Sequence, residues 1–173
     1  VGWQSVQLQI KKLEAKRAEM IRTCQDPAVD KVRRLLKLRG IGENSSWLFV
    51  MEFFGWRQFR NRREVGGLAG LAPTSFQSGG QAHEQGISKA GNRQVRAMAI
   101  EIGWCWLRYQ PDSELAGWYW ENFGYGGKRP RRVGIVALAR RILVALWCYL
   151  GTGQPPANGK QARPLSIVDS LFA

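Results

Sequence analysis

The residues in this sequence best suited to chemistry lie in one stretch, PTSFQSGGQAHEQGISKAGNRQVR, from Pro73 to Arg96. Ser78 precedes Gly79 and Gly80, and glycines without a Cβ let another backbone, such as a nucleic-acid strand, come close to the serine hydroxyl. Lys89, Arg93 and Arg96 follow, and the i, i+3 spacing of Arg93 and Arg96 puts both guanidinium groups on one helical face. With Ser88 or Asn92 as the helix N-cap, the positive end of a helix dipole joins that charge. These are the parts of a phosphoryl-transfer site, because attack on a phosphodiester builds negative charge on nonbridging oxygens that cations and amides stabilise. The same residues also suit a phosphate-binding loop without chemistry, or a plain surface linker. No activating base stands beside Ser78: His83 is the only histidine, it lies in the same loop without an acidic orienter, and it reads as solvent-facing. Glu52, Glu101, Asp112 and Glu114 are scattered over helices, so no carboxylate cluster for metal ions is written in this chain.

The elements that must position this stretch read as helices. Val6, Ile10, Leu13 and Met20 step by four and three with Arg17 in the intervening slot, which predicts a heptad helix ending near Cys24, a coiled coil or helical hairpin. QDPAVD supplies a turn, and a second helix is expected over 28–37. Gly40-Ile41-Gly42 then links it to a helix from about Asn44 that places Trp47, Leu48, Met51 and Phe54 on one face. Helix, Gly-Ile-Gly, helix is the pattern of a helix-hairpin-helix element, in which Gly40 and Gly42 and a helix N-terminus contact a backbone phosphate, with Arg33, Arg34, Lys37 and Arg39 nearby. An ordinary helix-helix turn has the same pattern. Arg57, Arg60, Arg62 and Arg63 precede a short apolar helix stopped by Pro73. Val95, Met98, Ala99, Ile102 and Trp106 form the stripe of a long helix over 92–109, and a short aromatic helix follows Pro111. Val136, Ala139, Leu143, Leu146 and Leu150 mark a buried helix over 132–150. No run reads as a strand, so the expected fold is all-α, in three parts: a coiled-coil or linker helix over 1–27, a helical domain over 28–151 and a flexible tail over 152–173.

Charge narrows the partners. The chain of 173 residues carries a formal net charge of +13, from 26 Lys and Arg against 13 Asp and Glu, an imbalance that a polyanion such as nucleic acid relieves. Cys24, Cys105 and Cys148 are odd in number and far apart, so neither a zinc site nor a disulfide framework is expected; they read as mostly buried free thiols suited to a reducing cytoplasm. Of the Trp residues, Trp104, Trp106, Trp118, Trp120 and Trp147 are expected mainly in the core. The most apolar run, VGIVALARRILVALWCYLG, is interrupted by Arg140 and Arg141, which argues against a membrane span. The sequence opens at Val1 without a Met and reads as an excerpt of a longer parent.

The stretch from Leu38 to Trp104 resembles the C-terminal domain of the insertion-sequence-110 group of transposases, also called DEDD transposases. The matching marks are the Gly-Ile-Gly turn at 40–42, FRNRREVGGLAGLAP at 59–73, SGG at 78–80 and ISKAGNRQVR at 87–96; counterparts to the heptad helix and to the last long helix extend the likeness to about residues 5–155. The resemblance implies a DNA recombinase that cuts and rejoins strands through a covalent enzyme–DNA link, guided by a structured RNA that the element encodes. It implies that Ser78 is the nucleophile, with Ser75 and Ser88 as alternatives in or beside the same loop. Gly40, Gly42, Arg60, Arg62, Arg63, Gly79, Gly80, Lys89, Asn92, Arg93 and Arg96 make up the candidate phosphate and nucleic-acid contacts. It also implies an N-terminal RuvC-like domain whose four acidic residues bind Mg²⁺, which no residues here match, so this chain is expected to be inactive alone. Homo-oligomers through the N-terminal helix and action in the bacterial cytoplasm, on the nucleoid, complete the expectation. The competing reading is a nonenzymatic helix-hairpin-helix module that only grips DNA or RNA.

Overall fold

A computed structural model describes residues 2–78 and 81–160, with the backbone path alone over 75–78 and 81–85. The elements are α1 (Gly2–Thr23), α2 (Pro27–Leu36), α3 (Glu43–Phe49), α4 (Arg62–Leu68), β1 (Pro73–Ser78), β2 (Gln81–Ile87), α5 (Arg93–Tyr109), α6 (Glu114–Tyr119) and α7 (Lys128–Thr152). The fold is therefore mainly helical, as the sequence predicts. It departs from an all-α chain in one place, where the expected loop is an antiparallel hairpin of β1 and β2.

Four of the helices, α2, α4, α5 and α6, start at a side-chain cap. Asp26 caps α2 by accepting from Ala28 N at 2.7 Å, with Pro27 in the first turn. Asn61 caps α4 by accepting from Arg63 N and Glu64 N, while the Glu64 carboxylate accepts from Arg60 N at 2.8 Å. Asn92, rather than Ser88, caps α5 by accepting from Gln94 N at 3.0 Å and Val95 N at 3.1 Å. Ser113 caps α6 by accepting from Ala116 N, and its hydroxyl also accepts from the buried Trp106 indole at 2.9 Å.

The core lies where α5 crosses α7. Val95, Ala99, Ile102 and Trp106 of α5 face Ile135, Leu138, Ala139, Ile142, Leu143 and Leu146 of α7, all buried. The helices meet closely at Gly103, where an added Cβ would lie 3.2 Å from Ile135 Cδ1. α7 has the length and hydropathy of a bilayer-crossing helix, but much of its apolar surface is spent on this contact, and Arg140 and Arg141 lie within it. Tyr149 ties α7 to α2 by donating to Arg34 O at 3.1 Å, and Arg34 returns a bond to Leu150 O at 3.0 Å.

Several sequence expectations need correction. After α3 the chain widens into a π turn over Val50–Phe54, closed by Gly55 N donating to Val50 O at 2.7 Å. The extra residue rotates the buried face, so Phe49, Val50, Phe53 and Phe54 are buried while Trp47, Leu48 and Met51 are only half-buried. Trp106 is core, but Trp104 and Trp120 are 49% and 41% exposed, because each falls on the solvent side of its helix. Among the thiols, Cys24 and Cys105 are half-buried and Cys148 is exposed. The expected tail is described as far as Lys160, and that part touches the body: the Gln110 amide bonds Lys160 through both its oxygen and its nitrogen, and Arg39 N donates to Lys160 O at 3.1 Å.

α1 stands apart from this core. Val6, Ile10 and Leu13 of its heptad seam are 49%, 49% and 68% exposed, and only Arg17, Met20 and Ile21 are partly covered. Arg33 fastens the end of α1 to α2 by donating to the carbonyls of Ile21 and Cys24.

Candidate nucleic-acid interface

The hairpin carrying Ser78 is built on a rigid joint. α4 ends in a Schellman turn: Gly70, at φ +71°, donates to Gly67 O, and Leu71 N donates back to Gly66 O, both at 2.9 Å. The chain leaves as β1 and returns as β2, pairing Phe76 with His83, Gln77 with Ala82 and Ser78 with Gln81, with a bulge between Pro73 and Ser75. At the base, Ser88 N donates to Ala72 O, Lys89 N to Gly70 O and Asn92 N to Leu68 O. Lys89 itself adopts the left-handed region at φ 54°, and Arg96 braces that strained turn by donating to Lys89 O at 3.0 Å. The crossing is tightest at Gly91, where a Cβ would lie 2.3 Å from Leu68 O and 2.7 Å from Gly70 N. Ser78 ends β1, about 17 Å along an extended strand from Pro73.

The sequence-predicted residues separate into distinct environments. Lys89 and Arg93 are exposed at the foot of the hairpin and the start of α5, whose first turn holds no acidic residue. Arg96 is half-buried and committed in part to the Lys89 carbonyl, and Asn92 uses its amide oxygen for the cap and its amide nitrogen toward Glu52 at 3.3 Å. Arg60, Arg62 and Arg63 are exposed at the entry to α4. A cation in the first helical turn, as Arg63 and Arg93 are, meets the positive end of the helix dipole, an arrangement that a bound anion relieves. Ser75 and Ser78 are placed by their backbone in β1, Ser88 is half-buried at the hairpin base, and the backbone of His83 pairs within β2. Gly79 and Gly80 lie outside the described residues.

The Gly40-Ile41-Gly42 turn lies elsewhere, against α1 and α5. Gly42 N donates to Ser45 Oγ at 3.1 Å, Ile41 N donates to Leu38 O at 3.2 Å, and Gly40, at φ +95°, packs against Tyr109. Glu14, Glu43 and Glu101 line the adjoining groove together with Arg17. Of the basic residues expected beside this turn, Arg33 and Arg34 spend their guanidinium groups on backbone carbonyls, while Lys37 and Arg39 are exposed.

Sequence reading missed a second basic feature. Arg129, Arg132, Arg140 and Arg141 of α7 and Arg62 of α4 border one groove whose wall includes Pro73, Gly86 and Ile87 of the hairpin base. Its signal was present in KRPRRVGIVALARR, where Arg129, Arg132 and Arg140 fall three and eight positions apart and so on one side of α7, but the seven uncharged residues between Arg132 and Arg140 read as core. Among the described residues, no group of three His, Cys, Asp or Glu side chains is placed to hold a metal ion.

Comparison with known proteins identifies the family of this region. Residues 32–116 match the family described as "Transposase IS116/IS110/IS902 family". "Putative transposase y4rJ" of Sinorhizobium fredii is 40% identical over 156 residues, covering 84% of this chain and 38% of that protein. "Probable family 20 transposase" of Pseudomonas aeruginosa is 32% identical over 120 residues, covering 69% of this chain and 35% of that protein. "Transposase for insertion sequence element IS1328" of Yersinia enterocolitica is 28% identical over 124 residues, covering 70% and 36%. The alignments thus span little more than a third of each of these relatives. With its helices, its serine hairpin and its basic joint inside or beside the matched region, the chain carries a transposase domain of the IS116/IS110/IS902 family.

Proposed function

We propose that this chain is the part of a DNA transposase that supplies the serine nucleophile for strand cleavage and rejoining, with Ser78 in that role. One observation carries the reading: Ser78 ends a strand whose base is hydrogen-bonded to the end of α4 and the start of α5, beside exposed Lys89 and Arg93. A scissile phosphate at the hairpin end therefore meets a hydroxyl on an anchored strand, while Lys89 and Arg93 at its foot, about 17 Å away, hold the flanking phosphates of the same DNA. Ser78 Oγ attacks phosphorus; the Oγ–P bond forms as the P–O3′ bond breaks, the serine proton is lost, and the departing 3′ oxygen gains one. Attack by the 3′ hydroxyl of a new strand reverses these changes and frees Ser78, so the bond is exchanged without an external energy source.

Among the described residues, no group of three His, Cys, Asp or Glu side chains is placed to hold a metal ion. We assign the acidic residues and Mg²⁺ that would promote the step to a part of the parent outside this chain, so the chain alone binds DNA without cutting it. Guidance by an element-encoded RNA, action on the bacterial nucleoid and self-association through the exposed Val6, Ile10 and Leu13 seam belong to the same proposal. In it, the Gly-Ile-Gly turn has a structural role, because two of its amides are engaged internally.

The test is Ser78→Ala in the full-length parent. Strand transfer is expected to fall to background with DNA affinity changed less than about twofold; normal recombination by the variant would overturn the assignment. Affinity of the wild-type protein for duplex DNA should also fall with salt along a log–log slope of roughly −0.9 per phosphate contacted. A flat response would remove the electrostatic basis of the proposal.

A further inference from the structure

We infer that the groove between the hairpin base and α7 receives an unstacked nucleotide of a single-stranded segment, an inference that rests on the nucleic-acid reading above. The groove has a volume of about 930 Å³. Its floor is apolar, built from Leu71, Ile87, Leu115, Val136 and Val144, with Val133 exposed at the edge. Its border holds five arginines, Arg62, Arg129, Arg132, Arg140 and Arg141, and among the described residues no acidic side chain lines it. None of the five has an ion-pair partner among the described residues. An occupant must therefore be anionic at its edges and apolar or aromatic at its centre.

A DNA duplex does not meet that requirement, because it presents phosphates and sugars outward and keeps its base faces stacked inside. A strand with a splayed base does: its phosphates pair with guanidinium groups while the base covers the floor. Local geometry supports this choice. The Arg141 guanidinium lies over the Trp118 indole with its carbon 3.7 Å from the ring centroid, so a base laid on that exposed guanidinium extends an existing stack. Arg140 is drawn down across α4 at Gly66, where a Cβ would lie 2.7 Å from Arg140 Nε. Lys128, Arg129 and Arg131 open α7 with no acidic residue in its first turn, adding the positive helix end to the same border. Because Pro73, Gly86 and Ile87 belong to both groove and hairpin, a nucleotide held here lies at the foot of the strand that ends in Ser78.

The test uses this 173-residue chain. Val133, at 57% exposure, is replaced in Val133→Glu, which places a carboxylate on the groove edge without disturbing the core. The probes are a single-stranded 12-nucleotide DNA carrying one 5-iododeoxyuridine, and the corresponding duplex. The expected result is at least a tenfold loss of single-strand affinity with duplex affinity changed less than threefold and an unaltered melting temperature. Irradiation of the wild-type complex is expected to crosslink the iodinated base to the peptide containing Trp118. Equal single-strand affinity in both proteins, an equal loss on both probes, or a crosslink outside α6 and α7 overturns the groove assignment while leaving the nucleic-acid reading in place. The first of these is the result expected if an acidic protein segment occupies the groove. Failure of the wild-type chain to bind either probe removes the nucleic-acid reading, and this inference with it.

Discussion

Gly91→Ala tests how firmly the serine hairpin is held. The added Cβ would sit 2.3 Å from Leu68 O, 2.7 Å from Gly70 N and 2.9 Å from Ala69 C. All three are backbone atoms, so the clash cannot be relieved by a rotamer change and the joint must open. Opening it strains the bonds from Lys89 N to Gly70 O and from Asn92 N to Leu68 O. Each such bond contributes about 0.5–1.5 kcal/mol net, and overpacking adds about 1–3 kcal/mol, for a loss of about 2–6 kcal/mol. At roughly 2–4 °C per kcal/mol for a chain of this size, Tm falls by at least about 4 °C. Gly117→Ala is the matched control: nothing lies within 4 Å of its added Cβ. It lies inside α6, where Ala is favoured over Gly by about 0.5–1 kcal/mol, so its Tm should not fall. Thermal melts by circular dichroism compare the two variants on the same chain. If Gly91→Ala melts within about 1 °C of wild type, the joint is not rigid, and the claim that it fixes the position of Ser78 fails.

Two further expectations concern the scaffold. Ser113→Ala removes both the α6 cap and the acceptor for the buried Trp106 indole, so about 2–4 kcal/mol should be lost in denaturant unfolding; a loss below about 1 kcal/mol would refute the pairing. Burial pushes the Tyr149 phenol above its ordinary value of 10.0, and the nearby Arg34 charge only partly opposes this. A raised folded value means that the stabilisation is fully present below about pH 10 and is lost as pH rises through the folded value. Tyr149→Phe should therefore flatten the fall in stability between about pH 9 and about pH 12; an unchanged slope would assign the loss to other groups.

How much was legible in advance follows from the physics of each segment. The α5 stripe and the α7 core positions were readable because a helix packed on one side repeats its apolar residues every three or four positions, and both helices meet the core along their length. Asn92 was readable as a cap because its side chain acts locally. The hairpin was not, since TSFQS and QAHEQG lack the apolar alternation of a strand packed on a core. The sequence signal for it is a Gly-Gly pair between two short runs, which fits a surface linker equally well. The Val50–Phe54 π turn was invisible because a single inserted residue shifts the buried face without changing composition. The five-arginine groove was missed because Arg62 and the α7 arginines are brought together only by the packing of α4 on α7, which one-dimensional spacing does not encode.

The central claim is that Ser78 becomes covalently joined to DNA. The most direct measurement traps the full-length protein on a cleaved substrate, digests protein and DNA, and maps the nucleotide-modified peptide by tandem mass spectrometry. The account predicts a 5′-phosphodiester on Ser78 within PTSFQSGGQAHEQGISK. A modification on Ser75 or Ser88, or strand exchange with no serine adduct at all, would contradict it.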